Sequence, residues 1–214
     1  CELSDFSQSR DVLYQNNGDG SFTDVSGLLT FEKLLGAGFS VSFVDYDNDL
    51  DLDLYVANDK AVNPVGNVLW RNDGVGCHAW CWTDVSVESG ADTVVHSMGL
   101  ATGDYDNDGD LDFYFSNMIQ PMVLLQNQGD GTFENMTELA GVGHFTKEAV
   151  GWGTAFFDYD NDGWLDLYLA STGISPIYSH AGMNFPYPDM LYHNNGDGTF
   201  TTLKQYQFMD KAYP

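Results

Sequence analysis

Basic side chains are scarce in this chain of 214 residues. Seven Lys and Arg stand against 32 Asp and Glu, which gives a formal net charge of −25. The few basic residues are scattered, so the sequence offers no cluster that could neutralise nucleic-acid phosphates, and an anionic membrane surface is disfavoured for the same reason. The composition is nevertheless 43% hydrophobic and 14% aromatic, which is too apolar for a disordered acidic tail. We therefore expect a folded body that does not bind nucleic acid.

Long apolar runs and cysteines are also scarce. No stretch approaches the roughly 18 consecutive apolar residues that cross a bilayer, and no signal segment opens the sequence, so no transmembrane segment is predicted. The first residue is Cys1, as in a mature bacterial lipoprotein, but a boundary of the sequence explains it equally well; a lipid anchor on Cys1 stays one hypothesis. Cys77 and Cys81 are the only other cysteines, so there is no disulfide framework.

Two short elements alternate along the chain, and their repetition predicts a repeat architecture. The sequence Asp-Tyr-Asp-Asn-Asp begins at Asp45, Asp104 and Asp158. A second element, close to Asn-Asn-Gly-Asp-Gly-Thr-Phe, begins at Asn16, Asn127 and Asn194, with a degenerate copy at Asn72. Glycines in the second element suit the positive φ angles of tight hairpin turns.

Each repeat predicts four short strands. The first strand (38–44, 97–103 and 151–157) alternates small with bulky residues, as expected if one face meets another backbone and the other fills a core. The bulky positions are Phe39, Val41 and Phe43; Met98, Leu100 and Thr102; and Trp152, Thr154 and Phe156. Four antiparallel strands repeated in this way, with the small-faced strand innermost, predict β-propeller blades and an all-β fold.

These repeats divide the chain into about three and a half blades of a single propeller-type domain, open or part of a larger propeller. Residues 11–35 form a half-blade, residues 204–214 form a tail, and three whole blades lie between them at 36–96, 97–150 and 151–203. Three and a half blades cannot close a ring of ordinary size. We therefore expect the edges to be covered by other sequence or by another chain.

The sequence motifs of these repeats resemble those of a known family. The runs Gly36-Ala-Gly-Phe-Ser, Met98-Gly-Leu-Ala-Thr-Gly-Asp-Tyr-Asp-Asn-Asp-Gly-Asp-Leu-Asp and Trp152-Gly-Thr-Ala-Phe-Phe-Asp-Tyr-Asp-Asn-Asp-Gly-Trp-Leu-Asp resemble FG-GAP/VCBS repeats, most closely those of proteins similar to cartilage acidic protein. Such repeats are the calcium-binding propeller blades of integrin α subunits and of many secreted bacterial proteins. The resemblance spans residues 11–203. It implies a propeller, calcium in the loop of each blade, and an extracellular adhesive or interaction role.

The residues themselves also point to calcium. In loop 1 (45–53), loop 2 (104–112) and loop 3 (158–166), carboxylates at positions 1, 3, 5 and 9 and the carbonyl of position 7 can converge, and oxygen ligands in that number suit Ca²⁺. Four carboxylates in one short loop repel one another without a cation, which disfavours a merely solvated acidic turn. The predicted ligands are Asp45, Asp47, Asp49, Asp51 and Asp53; Asp104, Asp106, Asp108, Asp110 and Asp112; and Asp158, Asp160, Asp162, Trp164 and Asp166.

Two or three Ca²⁺ ions are expected, because loop 1 departs from the pattern. Leu50 replaces the glycine found at position 6 in the other two loops, Gly109 and Gly163, where the turn needs a residue tolerant of unusual φ. Loop 1 is therefore expected to be the weakest site. Side chains at position 7, Asp51 and Asp110, are expected to face water.

The second hairpin turn is longer than the others and contains Cys77, His78 and Cys81. A small disulfide ring between the two cysteines would indicate an oxidising compartment. Binding of zinc or copper by the three residues is the alternative. The remaining hairpin acids, Asp19, Asp130 and Asp197, are explained by turn geometry alone.

Strand direction places the calcium loops and hairpin turns on one face and the longer connections on the other. The longest connection, 172–189, is stiffened by proline and rich in aromatics, which is typical of a recognition surface, although the aromatics could equally cap the core. The ligand-face candidates are Tyr178, His180, Phe185 and Tyr187.

The leading hypothesis is a calcium-stabilised extracellular binding or adhesion module without catalysis, secreted or on the cell surface. Its partner would be a protein or a glycan on the face opposite calcium. One alternative is a structural subunit of an extracellular assembly or fibre, whose partners would be further copies of itself or further blades. The other is a glycan-active enzyme, for which only Asp189, His180 and Lys147 are scattered candidates, with no acid–base pair at a defensible spacing.

Overall fold

The computed structural model of the protein describes residues 10–29, 31–60, 65–76, 80–143, 149–173 and 188–203. Within these ranges the chain is almost entirely β-structure, with two short 3₁₀ turns at Ser26–Leu28 and Phe31–Leu35. No helix in these ranges is long and apolar enough to cross a membrane. The strands are β1 Tyr14–Asn16, β2 Phe22–Asp24, β3 Gly38–Val44, β4 Asp53–Asn58, β5 Val68–Val75, β6 Trp80–Asp84, β7 Leu100–Gly103, β8 Asp112–Phe115, β9 Val123–Asn127, β10 Phe133–Asn135, β11 Ala149–Phe157, β12 Asp166–Gly173, β13 Met190–Asn194 and β14 Phe200–Leu203.

These strands form three four-stranded antiparallel sheets and one two-stranded sheet, each in sequence order. Blade 1 is β3-β4-β5-β6, blade 2 is β7-β8-β9-β10, blade 3 is β11-β12-β13-β14, and the partial blade is β1-β2. The predicted all-β fold of propeller blades is confirmed. Two first strands differ from the prediction: β7 begins at Leu100 rather than at residue 97, and β11 begins at Ala149 rather than at residue 151. In the enlarged hairpin, β5 continues to Val75 and β6 begins at Trp80, with a register shift between Asn72 and Val75. The enlarged hairpin therefore lengthens both strands as well as the turn.

Two glycines of the first strands lie where neighbouring blades meet and have no room for a side chain. A Cβ atom at Gly99 would overlap the carbonyl oxygen of Trp152 in the next blade. A Cβ atom at Gly151 would lie 2.8 Å from the Cβ of Ser116. Close approach of another backbone thus explains the glycine at position 99, whereas Gly151 is limited by side chains and a Cβ atom at Gly153 would meet nothing within 4 Å.

Two of the three apolar cores among the described residues lie between whole blades. Tyr55 and Leu69 of blade 1 pack against Phe113, Phe115 and Leu125 of blade 2, and all five side chains are buried. The face of blade 2 that points away from blade 1 packs against blade 3. That second core contains Tyr105, Tyr114, Met122, Leu124, Leu167, Leu169, Met190, Tyr192 and Phe200.

The expectation that the bulky residues of the first strand fill a core is wrong for blade 1. Phe39, Val41 and Phe43 are 56%, 58% and 53% exposed. Among the described residues the partial blade supplies two strands beside this face, and they leave a groove of about 550 Å³ lined by these residues together with Leu13 and Trp70. In blade 2, by contrast, Leu100 at the equivalent position packs into the core shared with blade 1.

Trp152 is a second exception, because it is 47% exposed. It lies in β11 where the register with β12 shifts between Gly151 and Thr154. Its indole nitrogen donates to the Thr172 hydroxyl, 3.1 Å away, instead of entering the core.

Candidate metal centres in the acidic loops

The three acidic loops share one hydrogen-bonded frame. In loop 2, the carboxylate of Asp104 at position 1 accepts the backbone N–H groups of Asp108, at 3.1 Å, and Gly109, at 3.0 Å. The carboxylate of Asp108 accepts the N–H of Asp110, at 2.9 Å. Loops 1 and 3 repeat these bonds through Asp45 and Asp49 and through Asp158 and Asp162. The fixed spacing of Asp residues therefore folds each loop back on itself.

The carboxylate at position 9 fastens each loop to its blade. Asp112 is fully buried, and its two oxygens accept the N–H groups of Tyr105, at 3.0 Å, and Asn127, at 2.8 Å. Burial raises the pKa of Asp112 to about 8, and the charges of Asp106 and Asp108 add to the effect. Asp53 and Asp166 make the equivalent two bonds in loops 1 and 3.

Burial also raises the pKa of Asp53 in loop 1, to about 6, against the opposing effect of its two backbone hydrogen bonds. The carboxylates at position 3 of loops 1 and 2, Asp47 and Asp106, are likewise raised, first by burial and then by the neighbouring carboxylates. Without a cation, then, these groups disfavour ionisation in the folded protein. A divalent ion at the centre of each loop would reverse that preference.

Carboxylate oxygens converge in every loop. In each loop, one oxygen from each of three carboxylates lies within 4.8 Å of the other two. Among the described residues, one oxygen of Asp47 and one of Asp106 are buried without a hydrogen-bond partner, which is the expected state of an atom that faces a bound cation. The donor set is all oxygen, so it fits Ca²⁺. The groups are Asp45, Asp47 and Asp53; Asp104, Asp106 and Asp108; and Asp158, Asp160 and Asp162.

Position 6 of the loops has the backbone conformation that the sequence suggests. Gly109 and Gly163 have φ angles of 97° and 92°, and Leu50 is held at 74° with 92% of its surface exposed. A side chain other than glycine is strained in this region. Leu50 buries almost nothing in return, so loop 1 carries an unfavourable residue that its neighbours lack.

Neighbouring loops are joined by asparagine side chains, which sequence reasoning missed. Asn48 in loop 1 donates to the Asp110 carboxylate, 2.5 Å away, and Asn107 in loop 2 donates to the carbonyl of Gly163, 3.1 Å away. Asp110 was expected to face water and instead accepts this bond. A third bond runs from blade 2 to loop 1, where the side chain of Asn127 donates to the carbonyl of Tyr46, 2.7 Å away. The repetition of asparagine at position 4 of the loops was the only signal of the contacts made by Asn48 and Asn107.

A histidine that the sequence did not single out lies at loop 3. His193 Nδ1 is 3.5 Å from an oxygen of Asp160 and 3.3 Å from an oxygen of Asp166. The equivalent residues, each just before the asparagine of the hairpin element, are Arg71 in blade 1 and Gln126 in blade 2. Aligning that position across the repeats could have identified it.

The hairpin acids are explained locally. Asp130 accepts the N–H and the hydroxyl of Thr132, at 3.1 and 2.6 Å, and Asp19 and Asp197 make the same pair of bonds with Ser21 and Thr199. These bonds lower the pKa of Asp19 and Asp197. The side chains serve the turns.

Several predicted residues lie outside the described ranges. Cys81 is disulfide-bonded, and its predicted partner Cys77 falls outside these ranges, as does His78. All four ligand-face candidates, Tyr178, His180, Phe185 and Tyr187, also fall outside them.

On the face opposite the acidic loops, the described connections carry exposed apolar side chains. These include Val87, Ile119 and Leu139. Ile119 is 48% exposed and has a φ angle of 60°, which is an outlier for a β-branched residue.

Comparison with known proteins gives a consistent family. A family model described as FG-GAP-like repeat matches residues 4–56, 45–115 and 104–169. Cartilage acidic protein 1 of Homo sapiens is 26% identical over 166 residues, and that of Xenopus tropicalis is 25% identical over 163 residues. Each alignment covers 74% of this chain, which spans only 24% of either relative. A lectin of Agrocybe aegerita, described as recognising non-reducing terminal N-acetylglucosamine, is 19% identical with a TM-score of 0.47, over 90% of this chain and 46% of the lectin.

Proposed function

We propose, from the fact that this chain belongs to the FG-GAP-like repeat family, that it is a calcium-stabilised extracellular binding module without catalysis. The observation that carries the proposal is the repeated loop frame, in which carboxylates converge and the position 3 oxygens of loops 1 and 2 are buried without a partner. The disulfide at Cys81 supports an oxidising, extracellular location. The proposed partner is a protein or a glycan.

Calcium would be held by the carboxylates at positions 1, 3, 5 and 9 and by the carbonyl at position 7. The ion would neutralise carboxylates that otherwise repel one another. Extracellular calcium modules bind with dissociation constants of roughly 10⁻⁴–10⁻³ M, which suits a compartment rich in calcium. Asn48 and Asn107 would then hold one loaded loop against the next.

Calorimetric titration of the calcium-depleted protein tests the proposal. We expect two or three equivalents of Ca²⁺ to bind, and Asp106→Asn to remove one of them. Asp130→Asn is the matched control, because it makes the same change of charge in a hairpin that needs no cation. Absence of heat up to millimolar Ca²⁺, or equal losses in the two variants, would overturn the calcium sites.

Partner binding is proposed for the face opposite the loops. Supporting this, Ile119 is an exposed apolar side chain in an unfavourable conformation, and such strain concentrates at binding sites. Leu50 offers a matched comparison, because it is also apolar, exposed and at positive φ but lies on the calcium face. We expect Ile119→Ser to weaken binding to an array of glycans and matrix proteins about fivefold or more, and Leu50→Ser to leave it unchanged. Equal effects would place binding elsewhere.

An assembly role is the second candidate, and the open apolar face of blade 1 favours it. Phe39, Val41 and Phe43 are each more than half exposed where a further pair of blade strands would pack. In that role, a second copy of this chain covers the groove. We expect light scattering to show self-association that Val41→Lys abolishes; a monodisperse monomer with Val41 and Phe43 accessible to solvent would contradict it.

A glycan-active enzyme is the third candidate. Of its three proposed residues, Asp189 accepts the Tyr168 hydroxyl, at 2.6 Å, and the N–H of Ser171, at 2.9 Å, so it is engaged in holding β12. His180 and Lys147 lie outside the described ranges. A hydrolase or lyase assay on sulfated and neutral glycans would test this role, with Asp189→Asn as the inactivated variant for comparison.

A further inference from the structure

We propose that loop 3 forms a binding site for a divalent transition-metal ion of the zinc type, with His193 Nδ1, Asp160 and Asp166 as ligands. The site adds a nitrogen ligand to one of the proposed calcium loops. It rests on the proposed function only because its two carboxylates, Asp160 and Asp166, are also proposed calcium ligands. The ligand atoms of these three residues lie within 4.8 Å of one another.

The position of His193 differs among the three blades. Arg71 in blade 1 bonds to Asp73, at 2.7 Å, and Gln126 in blade 2 donates to the position 3 carboxylate, Asp106. The polar end of each of these side chains therefore has a hydrogen-bond partner within its own blade. Only at His193 does this position carry an imidazole, whose nitrogen is a preferred ligand of zinc-type metals.

His193 Nδ1 is a buried atom without a hydrogen-bond partner among the described residues. Its distances to the two carboxylate oxygens, 3.5 and 3.3 Å, exceed those of normal hydrogen bonds. The pair His96 and Asp59 shows the ordinary arrangement in the same chain, with 2.7 Å between Nδ1 and the oxygen. The Nδ1 atom of His193 instead lies near two carboxylate oxygens without a normal hydrogen bond to either.

The distances match a tetrahedral metal site. Zinc bonds to histidine nitrogen and carboxylate oxygen at about 2.0–2.2 Å, which separates ligand atoms by about 3.3–3.5 Å in a tetrahedron. A neutral imidazole with two carboxylates also suits a transition metal better than Ca²⁺, which prefers oxygen.

The surroundings orient these ligands. Asp166 is fully buried and accepts the N–H groups of Tyr159 and Asn194, both at 2.9 Å. The ring of Tyr159 packs edge-on against His193, with ring centroids 6.0 Å apart. Ligand side chains at metal sites are typically held by such outer contacts.

Zinc titration of the whole chain tests the proposal, with Cys1→Ser as background to remove one thiol and non-reducing conditions to preserve the disulfide. Blade 2 supplies the matched exchange: His193→Gln reproduces the residue of blade 2, and Gln126→His reproduces that of blade 3. We expect His193→Gln to weaken Zn²⁺ binding at least tenfold and Gln126→His to create an additional zinc site. His96→Gln is the control histidine and is expected to change nothing.

Replacing zinc by Co²⁺ gives a direct signature, since a tetrahedral nitrogen–oxygen site shows visible absorption that His193→Gln should remove. Unchanged zinc affinity in His193→Gln would overturn the proposal and leave an imidazolium ion pair as the explanation. Calcium uptake at loop 2, measured in the same proteins, separates the two proposals. If loop 2 takes up no calcium but zinc still binds, only the calcium proposal is overturned. If loop 2 takes up calcium but zinc does not bind, only the zinc proposal is overturned.

Discussion

Loops 1 and 2 have the same carboxylate spacing and the same hydrogen-bonded frame, yet they differ in the residues around it. Loop 1 has Leu50 where loop 2 has Gly109, and the adjacent strand places Arg71 where blade 2 places Gln126. The charge of Arg71 partly offsets the rise in the pKa of Asp47. Two loops with the same ligands can thus differ in cation affinity, because the neighbouring strand sets the local charge.

Removing calcium should have the largest effect and should separate the loops most clearly. A site loaded at a hundred times its dissociation constant contributes about 2.7 kcal/mol to stability. We expect Asp106→Asn in loop 2 to lose more of the calcium-dependent rise in melting temperature than Asp47→Asn in loop 1. Thermal denaturation of both variants with saturating Ca²⁺ and with EGTA measures the difference. A melting temperature that EGTA does not change would contradict calcium binding in both loops.

Exchanging the strand residues should move the affinities toward each other. A unit charge about 4 Å from another contributes about 1 kcal/mol even in water, and a divalent ion doubles that. We therefore expect Arg71→Gln to tighten calcium binding by loop 1 about 10- to 30-fold and Gln126→Arg to weaken calcium binding by loop 2 to the same extent. Calorimetry of the two variants provides the measurement. If neither affinity moves, the contrast must come from Leu50 instead.

The pH dependence of the calcium-free protein should distinguish the loops next. The folded pKa of Asp112 is about 8 and that of Asp53 about 6, both above the ordinary value of 3.8 for an aspartate. The folded state therefore retains protons that the unfolded chain releases, so stability falls as pH rises from about 4 to 8 for Asp112 and from about 4 to 6 for Asp53. The slope is at most about 1.4 kcal/mol per pH unit for each group.

Urea unfolding between pH 5 and 8 in calcium-depleted buffer measures this slope. Saturating calcium should reverse its sign, because binding needs ionised carboxylates. Of the two groups, only Asp112 should still contribute to the fall in stability between pH 6 and 8. A calcium-free protein that becomes more stable over that range would contradict the assignment.

Position 6 should give the smallest effect. Leu50→Gly relieves a residue at φ 74° and is expected to stabilise the calcium-free protein by about 1 kcal/mol, whereas Gly109→Leu should destabilise it by about 1–2 kcal/mol. Urea unfolding of the two variants tests this. A loss of stability in Leu50→Gly would show that the leucine makes contacts that its exposure does not indicate.

Much of the fold and the loop frame could be predicted from local sequence. The recurrence of Asp104 and Asp158, with Gly109 and Gly163 five positions later, specifies both the turn and the converging carboxylates. Alternation of small residues predicts the innermost strands, and Gly99 shows why, since a neighbouring backbone fills the space of a side chain. These features depend on residues a few positions apart, where spacing alone fixes geometry.

The remaining features depend on contacts between strands and blades that are distant in the sequence. His193 reaches loop 3 only because β13 pairs with β12, and Asn48 meets Asp110 only because two blades stack with their loops on one face. Phe39 and Val41 fit the pattern of core residues, yet they are exposed, because burial requires a second surface that the described strands of the partial blade do not supply. The sequence by itself determined the blades and their acidic loops through short-range spacing and hydrogen bonding. Which residues join the loops, approach a cation or remain uncovered was decided by the tertiary structure, because those contacts need strand pairing and blade packing to bring distant residues together.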